Sequence, residues 1–150
     1  LDLLMQATRD PDAGVRSTVI RNGRAALADA PFALAVGALT DTDIHVHVAA
    51  VQELRRLKDK RAVAHLTPLL DDQAVLHHDV RNGVRTTHRM CDEAVEALEY
   101  LVNGVYLLPG DKTQADYDDL VQRWRDWSKA NVQKFDEALY EEPELKKVDK

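Results

Sequence analysis

The sequence predicts an all-α fold: a short right-handed α-solenoid of about three helix pairs, carrying one inserted β-hairpin or loop at about 74–89. Three observations predict it. Asp10-Pro11-Asp12, Asp41-Thr42-Asp43 and Asp72-Gln73-Ala74 return every 31 residues in one register. The first two triplets are followed by the same two-helix pattern of apolar residues. After the third the pattern breaks, and it resumes only near Cys91. A fixed period between about 20 and 50 residues is the signature of stacked repeats, none of which buries its apolar face alone.

Taken in chain order, residues 1–8 read as the end of a preceding helix. A chain that opens on Leu1 rather than Met is expected to be a fragment or a processed form. Asp10-Pro11-Asp12 supplies an N-cap and a proline at a helix start. Val15, Val19, Ile20, Gly23 and Leu27 follow at helical spacing as one buried stripe. Ala28-Asp29-Ala30-Pro31 breaks that helix, and Ala33, Val36 and Leu39 mark a short second one. The second repeat copies the first. Asp41-Thr42-Asp43 caps a helix bearing Val46, Ala50, Val51, Leu54 and Leu57, Lys58-Asp59-Lys60 is the turn, and Val63, Leu66 and Leu69 face inward.

In the third repeat the expected helix does not start. Val75-Leu76 and Val80 precede Arg81-Asn82-Gly83, and Val84, Thr86 and Thr87 follow. Asn-Gly between β-favouring runs is a hairpin signal. Pairing of 76–80 with 84–88 then brings His77 and His88 close across the strands. A helix resumes at Cys91-Asp92-Glu93, with Ala94, Ala97, Leu98 and Leu101 as its stripe. Residues 103–112 form a loop. A last helix spans roughly 113–130, with Leu120, Val121, Trp124 and Trp127 on one side, and its expected continuation runs through Phe135 and Leu139. Seven of the eight aromatics lie at or beyond Tyr100, which suits a C-terminal cap sealing the last core layer. The domain is expected over 1–140, with repeats at about 10–40, 41–71 and 72–130 and a polar tail at 141–150.

Composition excludes more than it selects. No apolar run is long enough to span a membrane, so no membrane partner is expected. One cysteine permits no internal disulfide, which fits a reducing cytosol and equally a disulfide-free exported domain. The compartment stays open, with the cytoplasm preferred. A net charge of −6 argues against bulk nucleic-acid binding. That charge is uneven. Residues 1–90 hold 12 Lys/Arg against 11 Asp/Glu, whereas residues 91–150 hold 8 against 15.

Several stretches carry a family likeness. Asp10 to Arg16, with the pattern Asp-x-Asp-x-x-Val-Arg, resembles the opening of a bacterial HEAT-like repeat of the phycobilin-lyase type. So does Lys58-Asp59-Lys60-Arg61-Ala62-Val63 with Leu66 and Leu69-Leu70. Arg89 to Leu98 resembles the last repeat of many such domains, closed here by Arg123-Trp124-Arg125-Asp126-Trp127. The likeness covers roughly residues 1–130, and it departs at Val46-His47, where the usual arginine is replaced, and in the 73–90 insertion. It implies a protein-interaction scaffold, with some relatives similar to phycobilin lyases or alkylpurine DNA glycosylases.

The candidate binding residues are Arg55, Arg56, Arg61, His65, His77, His78, Arg81, Arg85 and His88. Arg55, Arg56, Lys58, Lys60 and Arg61, joined by Arg24, gather at the second turn and suit phosphate or an acidic partner. The plainer account is a solvated turn whose charges balance a helix dipole. Arg61, His65 and the outward residues of 113–130 are expected to face a concave groove lined by the second helix of each pair. No metal is expected, and His77 with His88 is the pair a zinc ion would use, against an exposed hairpin that binds nothing. Cys91 at a helix start suits a thiolate nucleophile with His88 as base, against a small half-buried residue. Trp124, Trp127, Tyr100 and Tyr106 are read as packing. No cofactor and no catalytic residue is assigned. The expected function is a non-enzymatic module binding a protein or peptide through the groove and the 74–89 insertion. The alternative is an enzyme or a lyase- or glycosylase-like subunit acting on a small ligand or nucleic acid.

Overall fold

A computed structural model of the chain describes residues 2–23, 30–102 and 113–136. The chain is mostly helical, with a small two-stranded antiparallel sheet. The order is α1 (Asp2–Ala7), α2 (Ala13–Asn22), α3 (Ala30–Ala38), α4 (Ile44–Leu57), α5 (Ala62–Leu66), β1 (Val75–Arg81), β2 (Val84–Arg89), α6 (Met90–Val102) and α7 (Gln114–Asn131). α5 tightens into a 3-10 turn over Thr67–Asp71, and α7 into another over Val132–Phe135.

The recurring triplet has a physical job. Its first aspartate accepts the backbone amide two residues on: Asp10 from Asp12 at 2.8 Å, Asp41 from Asp43 at 2.8 Å, Asp72 from Ala74 at 2.9 Å. This local bond folds the chain into the turn that leads into each repeat. The third residue then caps the helix. Asp12 accepts from Gly14 and Val15, and Asp43 accepts from His45 and Val46. Ala74 has no side-chain acceptor, so no helix starts there and β1 begins instead.

The hairpin is looped out of the repeat. The Met90 amide donates to the Ala74 carbonyl and the Cys91 amide to the Asp72 carbonyl, both at 2.9 Å, so the two ends of the insertion meet and α6 starts where the repeat needs a helix. β1 and β2 pair His77 with His88, His78 with Thr87, Asp79 with Thr86 and Val80 with Arg85. Asn82 and Gly83 both have positive φ, 50° and 77°, as a two-residue hairpin turn that matches strand twist requires. A bulge between Val75 and His77 places one extra residue in β1.

α4 is the centre of the packing, touching α2, α3 and α6, while α6 rests on the 67–71 turn, α5 and α7. Ala49 and Ala50 are fully buried, and their small side chains let the neighbouring helices approach closely. Val51, Leu54, Val63, Leu66, Leu98 and Trp124 continue one core from the second repeat to the last helix. A polar link joins the first two repeats. The Arg16 guanidinium donates to both Asp41 oxygens, at 2.8 and 2.9 Å, and to the Asp10 and Pro11 carbonyls. One period later the corresponding residues are His47 and Asp72. Burial holds the His47 imidazole below its ordinary pKa, against the pull of Asp72 and Asp41.

Four sequence expectations are corrected. Pro11 precedes the cap rather than opening the helix, because Asp12 is the N-cap. Val15 is exposed, while Ile20 and Gly23 are buried as expected. In α3 the buried residues are Pro31, Phe32, Leu34, Ala35 and Ala38, and Ala33 is exposed. That segment is apolar almost throughout, so spacing alone does not select its inner face. α7 does not continue as an α-helix through Phe135 but ends at Asn131 in a 3-10 turn. The expectations for Leu27, the 103–112 loop, Tyr106, Leu139 and the 141–150 tail lie outside the described residues.

Candidate functional site

The nine candidate residues do not form one surface. The structure gathers them in three places, each built by a different pair of elements.

The first is a basic cavity between α4 and α6. Gln52, Arg55, Arg56 and Lys58 line one side and Tyr100 the other, around a solvent-open space of about 370 Å3. The end of α4 shapes it. Lys58 adopts a left-handed φ of 58° and its amide donates to the Arg55 carbonyl, which stops the helix. The Arg55 guanidinium lies 5.3 Å and the Lys58 ammonium 5.7 Å from the centre of the Tyr100 ring. Both sit where the ring's negative face attracts a cation. Arg55 also meets Glu96 loosely, at 3.6 Å. Arg56 is held by Glu53, which is 3% exposed, with one nitrogen at 2.7 Å. Among the described residues Lys58 makes no ion pair. The sequence reading missed Tyr100 here: it is 44% exposed and forms a wall of the cavity rather than packing under the cap. The signal lay in its position ten residues into a helix that follows the insertion, legible only once α6 is set beside α4.

The second place is the α3–α5 side. Arg61 binds the Asp59 carboxylate through Nε, at 2.9 and 3.0 Å, and its guanidinium lies 4.5 Å above the Phe32 ring. His65 meets the other side of this group, its ring 5.9 Å from Phe32 edge to face. The pair expected to face a groove is thus engaged in fastening the second turn to α3. Arg24 lies outside the described residues.

The third is the hairpin. The expected cross-strand approach is present: the His77 and His88 rings stack 4.9 Å apart. They lie face to face, and His88 Nε2 donates to Glu93 at 3.1 Å. Among the described residues no group of three or more His, Cys, Asp or Glu is placed to hold a metal ion. His78 bonds Thr87 at 3.0 Å, Arg81 pairs with Asp79 at 3.4 Å on the surface, and Arg85 is exposed. Val75, Val80 and Val84 are exposed beside them.

Glu93 connects the hairpin to the cavity. Its other oxygen accepts from the Gln52 side chain at 3.1 Å. The bond to Glu93 raises His88 above its ordinary pKa despite burial, and the same bond lowers Glu93. A raised histidine stabilises the fold fully below its unfolded value and loses that contribution as pH rises through its folded value. A lowered carboxylate stabilises above its unfolded value and loses it as pH falls. The pair therefore contributes fully between about pH 4.5 and 6.5, the ordinary values of the two groups. Thermal melts of wild type and His88→Gln are expected to differ more at pH 6 than at pH 8. A gap that does not change with pH contradicts the assignment.

Cys91 is fully buried, and desolvation pushes its thiol up rather than down. This corrects the helix-dipole expectation, since loss of water outweighs the dipole. The model of the HEAT-repeat family matches residues 1–85. No curated protein and no solved structure matches the chain.

Proposed function

The chain belongs to the HEAT-repeat family, and we propose that it is a non-enzymatic module that binds a protein or peptide. Repeats of this family are generally protein-interaction modules. The observation that carries the reading is the hairpin. It leaves the repeat at two points 2.9 Å hydrogen bonds hold together, and it carries three exposed valines with Arg81 and Arg85. Apolar side chains rimmed by charge are the composition of a recognition surface.

The proposed architecture is a right-handed solenoid over 1–140, a tail following, in which α2, α4 and α6 stack along one side and α3 and α5 along the other. The order of packing, α2 on α4 and α4 on α6, supports it. The proposed binding residues are Arg81, Arg85, His77 and His78 on the hairpin, and Arg55 at the cavity, where Arg56, held by Glu53, forms part of the wall. His88 is a positioning residue, and Arg61 and His65 border the α3–α5 side. The buried Cys91, its thiol pushed up by desolvation, gives no support to a thiolate nucleophile; the alternative of a lyase- or glycosylase-like subunit does not depend on it.

The test is quantitative crosslinking of the full chain in extract of its own host, with wild type beside Val80→Lys/Arg85→Glu. Both positions are exposed and face each other across the strands, so the new side chains form an opposite-charge pair that keeps the hairpin while replacing the apolar and basic groups it presents. The expected result is a crosslinked protein whose yield falls at least tenfold in the variant. Equal yields from both proteins overturn the hairpin as the contact surface.

A further inference from the structure

We propose that the cavity between α4 and α6 is a receptor for the carboxylates of an acidic peptide segment, gripped by Arg55 and Lys58 above Tyr100. The proposal rests on the peptide-binding reading above and assigns the chemistry of the segment bound.

The cavity holds three cations within one small space. Each has a different commitment. Arg56 is neutralised by the buried Glu53 and serves as wall. Arg55 has a loose, solvent-facing partner, with the Arg55 side chain 42% and the Glu96 side chain 52% exposed. Such a pair contributes little and exchanges readily for another carboxylate. Lys58 has only the ring of Tyr100 to hold it among the described residues. Two cations are therefore positioned in advance by a π-face rather than by fixed anions, and their outward N–H donors remain open to a ligand. Holding charged side chains in place before binding removes part of the ordering cost.

Size and charge choose the ligand. A volume of about 370 Å3 lies at the low end of ligand pockets and admits one or two side chains, not a folded surface. Glu53 and Glu96 stand beside the cations and repel a continuous phosphate backbone. They tolerate a discrete carboxylate that replaces Glu96 on the fork of Arg55. The whole chain, at −6, opposes a polyanion more than a short one. An acidic peptide fits these conditions better than nucleic acid.

The experiment uses the full chain and a fluorescein-labelled Gly-Ser-Glu-Glu-Ser-Gly peptide, which offers two neighbouring carboxylates and no longer run of charge, read by anisotropy at about 20 mM salt. Saturable binding is expected, with affinity falling at least tenfold in Arg55→Gln/Lys58→Gln and at least threefold in Tyr100→Ala. Arg9→Gln/Arg21→Gln removes the same charge from exposed positions elsewhere and is the control. Affinity lost equally in the control means bulk attraction and overturns the proposal. So does tighter binding of a labelled oligothymidylate than of the peptide, which favours nucleic acid. Absence of peptide binding by wild type overturns it too. The crosslinking test stands apart: a hairpin-dependent partner with no peptide binding sinks this inference alone, while peptide binding with hairpin-independent crosslinking sinks the hairpin reading alone.

Discussion

Trp124→Ala is expected to lower the unfolding free energy by about 3–5 kcal/mol, the range for deleting a large buried aromatic. For a domain of this size that corresponds to about 10–15 °C in melting temperature. Trp124 is fully buried and is the largest side chain so placed. Its ring meets Trp127 edge to face at 5.0 Å, and Trp127 meets Phe135 at 5.9 Å. α7 is also held by the smaller buried Leu120 and Val121, and by polar contacts at its start, where Gln114 accepts from the Thr87 amide and Asp118 pairs with Arg89, both at 2.8 Å. Arg125 donates to the Leu70 carbonyl at 2.8 Å and pairs with Asp71 at 2.9 Å, but Asp71 is largely exposed. Losing the indole thus leaves a cavity where the last helix meets the core, and surface bonds cannot compensate. Far-UV circular dichroism during urea titration measures it without relying on tryptophan emission. Trp127→Ala, at a half-buried site, is expected to cost less. A loss below about 1 kcal/mol for Trp124→Ala means that α7 is not part of the cooperative core.

The elements were legible wherever one local interaction decides them. The 31-residue return of aspartate is visible because a carboxylate two residues from its own amide always makes the same turn. Asn82-Gly83 fixes the hairpin because few residues accept two successive positive φ values. That turn also sets the register, so the approach of His77 to His88 was legible, although the strands pair one residue away from the expected 76–88 match. The face of α3 was not legible, because Phe32 to Val36 is apolar at every position and only contact with α4 selects among them. Val15 has the spacing of a core residue, yet it is 41% exposed, since spacing reports a helix face and not what covers it.

The candidate site was legible in part for the same reason. Arg55, Arg56 and Lys58 stand together in sequence, and their cluster is real. Tyr100 comes from the helix beyond the insertion, and its role depends on α6 lying beside α4. Arg61 belongs to the same sequence cluster but turns away to Asp59 and Phe32, because Lys58 reverses the chain between them. Neighbours in sequence are separated by a left-handed residue, and a distant aromatic takes the vacated place. Sequence proximity cannot report either event.

Arg89→Met is the second large effect, with an expected cost of about 3 kcal/mol, the lower end for breaking a buried ion pair from one side. Arg89 is the junction between hairpin and body. Its Nε donates to Asp92 at 2.9 Å, its Nη2 to Asp92 at 3.0 Å and to Asp118 at 2.8 Å, and its Nη1 to Gln73 at 3.0 Å. One guanidinium therefore fastens the end of β2, the first turn of α6, the first half of α7 and the approach to β1. The Asp92 side chain is 3% exposed, so removal of its cation strands a carboxylate with the Arg89 backbone amide, at 2.8 Å, as its remaining bond. The penalty comes from that stranded charge more than from the lost attraction. It follows that Arg89→Met/Asp92→Asn is more stable than Arg89→Met alone, since the amide oxygen still accepts from the backbone and carries no charge. Arg89→Lys is expected to fall between, because an ammonium cannot span two carboxylates and Gln73 with a planar fork. Amide exchange separates local from global loss. In Arg89→Met the β1–β2 amides are expected to exchange faster than those of α4, since the junction holds the hairpin and α4 is held by its own packing. Equal acceleration of both, with no recovery in the double variant, means that Arg89 supports the core as a whole and the hairpin is not independently hinged there.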